Sequence, residues 1–191
     1  SASSCRNLAT HSLEVLRDRW LGREIAGVGG TQMKRGVMEA LSAEGAPTFS
    51  RMSGIQEWRN AVCLFVNVYG DGYKNAFLRE GRQITWFAQA RQWEGTPVIQ
   101  RLVNCHGGDV LRCDEEDVVD TLEPTDVLLF CREENKPFVF CGALDYVAHD
   151  AHRIPVRFVW ELLDFDALSR LPAFAALVAS CNALLQPPPA K

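Results

Sequence analysis

The stretch "DVLLFCREENKPFVFCGALDYVAHDAHRIPVRFVWELLD", residues 126–164, carries most of the information about fold. Two β-rich apolar runs, 126–132 and 137–147, flank the polar turn "EENK", which predicts a hairpin. Gly142 inside the second run predicts a bend there. A third run, 155–163, alternates Val156, Phe158, Trp160 and Leu162 with Arg157 and Glu161, the pattern of a strand with one face buried.

Working outward, "AVCLFVNVY" (61–69) and "QITWFAQ" (83–89) add further strands, with the turn "GDGY" (70–73) between them. After Trp93, Thr96 is placed as an N-cap and Pro97 as the first helical residue of a short helix. Residues 105–125 are polar and acidic and read as a solvated loop. Leu8, Leu13, Leu16 and Trp20 recur at helical spacing, with Thr10 or Ser12 as caps. A second helix is expected from about Thr31 to Leu41, after a glycine-rich loop at 27–30. That loop fits neither GxGxxG nor GxxxxGK[ST], so it reads as a plain turn into a helix. The final helix starts near Asp164, is interrupted near Pro172, and carries Leu168, Leu171, Phe174, Leu177, Val178 and Leu184.

Helices followed by five or more mostly antiparallel strands make an α+β domain, built on a curved sheet or small barrel. Residues 1–59 are expected to form an N-terminal helical segment packed on it, and 60–165 the β domain. Residues 166–185 are read as a C-terminal amphipathic helix and 186–191 as a disordered tail.

A hydrophobic fraction of 47% with 23% charged residues fits a globular chain and excludes wholesale disorder. No apolar run is long enough to span a bilayer, so no membrane association is expected. Seven cysteines without a CxxC pair suggest a reduced, intracellular protein, with Cys63, Cys131 and Cys141 as small core residues. The net charge of −4 is unevenly spread. Residues 1–104 hold 13 Lys/Arg against 9 Asp/Glu, and residues 105–191 hold 7 against 15. An anionic partner would therefore meet the first half.

The stretch 126–164 resembles the C-terminal SRA-like domain of modification-dependent restriction helicases: an "LLF-R" strand, a proline with aromatics, a glycine, "Y-V-H", then a terminal strand. "ITWFAQARQWEGTPVIQRL" (84–102) is similar to the upstream strand of those domains, an aromatic-W-x-x-Q segment followed by T/S-P and a short helix. The resemblance covers roughly residues 60–165. It implies an SRA/PUA-like fold whose group binds duplex DNA, flips a modified cytosine out of the stack and holds it in a pocket.

That job requires an aromatic face and hydrogen-bonding groups beside it, because extraction costs a few kcal/mol and stacking returns about 1–3 kcal/mol per base. Trp86 or Phe87 would supply one face, Tyr69 or Tyr73 the second, with Gln89 and Asp71 reading the base edge. Arg91, Arg101, Lys74, Arg79 and Arg82 would contact DNA phosphates. The implied protein is a binding module rather than an enzyme, with no cofactor. It would read double-stranded DNA carrying a 5-substituted cytosine, in the nucleus of a eukaryote or the cytoplasm of a bacterium. A partner protein on the C-terminal helix is a further expectation, although covering its own sheet is the favoured use of that helix.

Three other readings are open. Asp126, Glu134 and Lys136 imitate the P-D…E-x-K order of metal-dependent nucleases. Cys105, His106, Cys113, His149 and His152 could supply zinc ligands, without the usual spacing. A PUA-like RNA-binding or protein-interaction module would share the same scaffold.

Overall fold

In a computed structural model, residues 10–25, 33–43, 54–68, 75–105 and 125–185 are described. Among them seven strands form one open sheet: β1 (Ile55–Trp58), β2 (Ala61–Asn67), β3 (Ala76–Leu78), β4 (Gln83–Phe87), β5 (Asp126–Arg132), β6 (Val139–Asp150) and β7 (Arg157–Leu162). Their order is β1-β2-β5-β6-β7-β4-β3, so the sheet has two edges and is not a closed barrel. Five helices among the described residues accompany it: α1 (Leu13–Trp20), α2 (Met33–Leu41), α3 (Pro97–Val103), α4 (Phe165–Leu168) and α5 (Pro172–Leu185).

All neighbouring strands pair antiparallel except β2 and β5, which run parallel from Ala61 opposite Asp126 to Asn67 opposite Arg132. These two strands are also the near-continuous apolar runs, "AVCLFV" and "VLLFC". Such runs suit strands buried on both faces. β1 falls inside residues 1–59, expected to form an N-terminal helical segment. It is only four residues long and pairs Trp58 with Ala61 across a tight turn.

One buried cluster takes residues from all seven strands, including Ile55, Leu64, Phe77, Trp86, Leu129, Cys141 and Trp160. A sheet whose two edges feed one cluster is curved around it. α3 contributes Ile99 and Leu102, and α5 contributes Phe174, Leu177 and Cys181. The apolar face of the C-terminal helix is thus used inside the protein, which leaves little of it for a partner.

A second cluster lies on the opposite face of β1, β2, β5 and β6. There Leu16 of α1 and Val37, Met38 and Leu41 of α2 cover Trp58, Cys63, Phe65, Phe130 and Phe140. Phe130 stacks on Phe65 at 4.8 Å and tilts against Phe140 at 5.1 Å. His11 joins this N-terminal segment to the sheet. Its Nδ1 lies 2.9 Å from Asn60 Oδ1 and its Nε2 lies 3.2 Å from Asp126, while the ring stacks on Trp58. Asn60 returns a bond from Nδ2 to the His11 carbonyl.

The predicted bend is at Gly142, which has φ +77°. A Cβ there would run into the Asp164 carboxylate, and that carboxylate accepts the Ala143 N–H and pairs with Arg17 at 2.9 Å. Opposite Gly142 the β5–β6 register shifts between Leu128 and Phe130. Cys63, Cys131 and Cys141 are free and fully buried, as expected, and burial pushes the Cys63 and Cys131 thiols well up, leaving them protonated and inert.

Candidate nucleic-acid interface

Alternation along β4 sends Trp86 and Phe87 to opposite faces of the sheet. Trp86 is 4% exposed and tilts against Phe158 at 5.6 Å within the inner cluster. It is a wall of the core, and a base has no access to its face. Phe87 lies half-buried on the outer face, opposite Arg157, with the Arg153 guanidinium 5.1 Å from its ring centroid. Of the two aromatics, Phe87 is the one that faces outward.

Beyond Phe87 the chain makes a compact loop. Ala88 donates to the Val156 carbonyl at 2.9 Å, and Val156 donates back to Gln92 at 3.2 Å, which ties the loop to the start of β7. Residues 89–92 close on themselves: the Gln89 N–H reaches Gln92 Oε1 at 2.8 Å and the Gln92 N–H reaches the Gln89 carbonyl at 2.9 Å. Arg91 crosses this turn at φ +72°, exposed.

Trp93 comes next and is 58% exposed, with its ring laid over Gly95 so closely that a Cβ there would collide with the indole. Thr96 does not cap α3 with its side chain. Its hydroxyl instead accepts the Trp93 N–H at 3.1 Å, and its own N–H donates to the Trp93 carbonyl. Sequence patterning treats Trp93 only as a boundary before the short helix. An aromatic two residues before a glycine, outside any alternating run, is the signal that could have singled it out.

Across from this loop is the β6–β7 connection. Arg153 rests on Phe87, and Ile154 at the tip is 67% exposed. Val147, in a bulge between β6 and β7, is 42% exposed. The 88–96 loop, tied to the start of β7, exposes Trp93 and carries Arg91 and Glu94, while the β6–β7 hairpin exposes Val147 and Ile154 and carries Asp150, Arg153 and Arg157.

The remaining residues singled out from sequence are spread elsewhere. Tyr69, Asp71, Tyr73 and Lys74 lie outside the described residues. Asn75, which follows them, accepts the Phe87 N–H on its Oδ1 at 2.9 Å. Arg101 is engaged within the fold, donating to Glu57, Thr125 and the carbonyls of Trp58 and Arg59. Arg79 and Arg82 lie before the far end of β4, with Arg82 roughly 16 Å from Phe87 at about 3.3 Å per residue. Arg82 lies over the Phe165 ring at 4.4 Å, beside α4 and α5. Among the described residues of the expected footprint, Arg91 and the Arg79–Arg82 pair thus stand at opposite ends of β4.

The nuclease triad does not assemble. Asp126 begins β5, while Glu134 and Lys136 follow its other end, roughly 20 Å away. Asp126 faces His11, and Lys136 pairs with Glu133. As for zinc, Cys105 is buried, His149 is engaged by Tyr146 and Glu94, and His152 is exposed. His106 and Cys113 lie outside the described residues, and among those described no group of three His, Cys, Asp or Glu side chains is placed to hold a metal. No described helix is long and apolar enough to cross a membrane.

No family model matches the chain, and no curated protein matches it. Among solved structures, the DNA modification-dependent restriction endonuclease AspBHI is similar over 70% of this chain and 70% of its own, at 14% identity and a TM-score of 0.40.

Proposed function

We propose that this chain is a non-catalytic reader of duplex DNA carrying a modified base, with a 5-substituted cytosine as the favoured target. The observation that carries the reading is the pair of segments tied together beside Phe87: one exposes Trp93 and Arg91, the other Ile154 and Arg153, with Arg157 at the start of β7. Guanidiniums suit phosphate oxygens, and an exposed aromatic or apolar side chain suits an unstacked base step. The resemblance of residues 84–102 and 126–164 to SRA-like domains points the same way.

In this reading the base is flipped. Phe87 takes the stacking role open to either β4 aromatic, Gln89 reads the base edge, and Tyr69, Asp71 and Tyr73 keep the roles expected of them from sequence. Arg91 and Lys74 contact phosphates, and Arg153 and Arg157 take the place assigned to Arg101, Arg79 and Arg82. A single methyl in an apolar slot is worth only about 1–3 kcal/mol, so the expected outcome is a preference rather than an absolute gate.

The test is a binding panel of duplexes that differ only in one cytosine: plain, 5-methyl, 5-hydroxymethyl and a bulkier adduct. At least one modified duplex should bind about tenfold or more tightly than the plain one, and Trp93→Ala should weaken binding to all of them. Equal affinity across the panel sinks the reading.

A further inference from the structure

Tyr146 and His149 are three apart on β6, a spacing that in a regular strand puts side chains on opposite faces. The register shift between Tyr146 and Ala148 inserts one extra residue and brings both to the inner face. Tyr146 meets Trp160 edge-on, and His149 stacks on Phe158 at 5.5 Å. The Tyr146 hydroxyl is 2.6 Å from His149 Nδ1, and His149 Nε2 is 3.2 Å from Glu94 Oε1. Glu94 is the residue after Trp93, and its carbonyl accepts from Gln100 Nε2 of α3 at 2.6 Å.

We propose that Glu94, His149 and Tyr146 form a directional hydrogen-bonded latch that positions the Trp93 platform against the sheet. A carboxylate only accepts, so His149 donates from Nε2 to Glu94; in the neutral imidazole Nδ1 is then the acceptor, and the Tyr146 hydroxyl donates to it. Burial holds the Tyr146 phenol above its ordinary range, which keeps it a donor. Each group thus has one role, and the bulge at Val147 exists where it is needed to align them. Tyr146, His149 and Glu94 are positioning residues; the use of the platform for DNA rests on the reading above.

The experiment is amide exchange on the full chain without DNA, read at Trp93 and Thr96, whose N–H groups bond within the loop. His149→Phe keeps a ring on Phe158 and removes both hydrogen bonds. It should speed exchange at these two amides on the order of tenfold, the scale two lost hydrogen bonds allow, with the β5 amides unchanged. Glu94→Ala should do the same, and Glu94→Gln, whose amide oxygen still accepts, should recover most of the protection. Nitrogen-15 spectra of the wild type should show the Nε2–H tautomer at His149.

Unchanged exchange in His149→Phe, a Glu94→Gln as loose as Glu94→Ala, or the Nδ1–H tautomer would each overturn the latch. A latch that passes while the duplex panel shows equal affinities removes the DNA reading alone. A latch that fails while the panel discriminates removes only the latch.

Discussion

The two halves of the sheet are finished differently. β1, β2, β5 and the first part of β6 are covered on both faces, by the inner cluster on one side and by α1 and α2 on the other. β7, β4 and β3 share the inner cluster, but no described helix packs on their outer face, where Phe87, Arg157 and Glu161 are partly or fully exposed. Each half has its own histidine. His11 ties the covered half to the N-terminal segment, between Asn60 and Asp126, whereas His149 ties a surface loop to the open half. The difference separates side chains buried on both faces of the sheet from side chains exposed at its end. Side chains in the covered half hold the fold, and Trp93, Val147 and Ile154 at the end of the open half are exposed.

The comparison breaks if truncations in the two halves behave alike. Phe130→Ala, in the covered half, should cost about 3–5 kcal/mol of unfolding free energy, measured by urea denaturation. Trp86→Ala should cost a similar amount, about 3–5 kcal/mol, because Trp86 is core despite lying on the strand nearest the interface. A Trp86→Ala protein of near-native stability that failed only in DNA binding would restore Trp86 as a base-stacking residue. Gly142→Ala comes next, at roughly 2–3 kcal/mol. It combines a left-handed backbone, about 1–2 kcal/mol for a residue with a Cβ, with displacement of the Asp164 carboxylate from the Ala143 N–H. A Gly142→Ala midpoint equal to wild type would show that the bend is not needed.

The same asymmetry decided what could be read from sequence. In the covered half, "AVCLFV" and "VLLFC" had no alternation because both faces are buried, and so their strand character was plain while their parallel pairing was not. Parallel partners are brought together by a long connection, which leaves no local mark. The bend at Gly142 was visible because glycine gives an apolar strand no side chain to pack, and so marks a bulge or a bend. In the open half, alternation revealed β4 and β7, and on β7 it marked the buried face, but on β4 it could not tell which face was inside, so Trp86 and Phe87 stayed equivalent. Trp93 belongs to no periodic run, and its exposure depends on Thr96 and Gly95 shaping the loop. Arg101 shows the opposite error. Its charge suggested phosphate, and only the carbonyls of Trp58 and Arg59, some forty residues away in sequence, reveal a structural role.

The two smallest stability effects sharpen the comparison most, because they should leave the fold alone. Trp93→Ala should change unfolding free energy by no more than about 0.5 kcal/mol, as is usual for exposed positions, while weakening duplex binding by roughly 1–3 kcal/mol. Arg91→Ala should do less still. A lone phosphate contact carries no sequence information, so binding should weaken evenly across plain and modified duplexes. The salt dependence should also become shallower by about one unit of slope, read by titrations at several ionic strengths. If Arg91→Ala instead weakened binding to modified duplexes selectively, Arg91 would be reading the base. The positive φ that projects it from the 89–92 turn would then be part of the pocket rather than of the backbone contact.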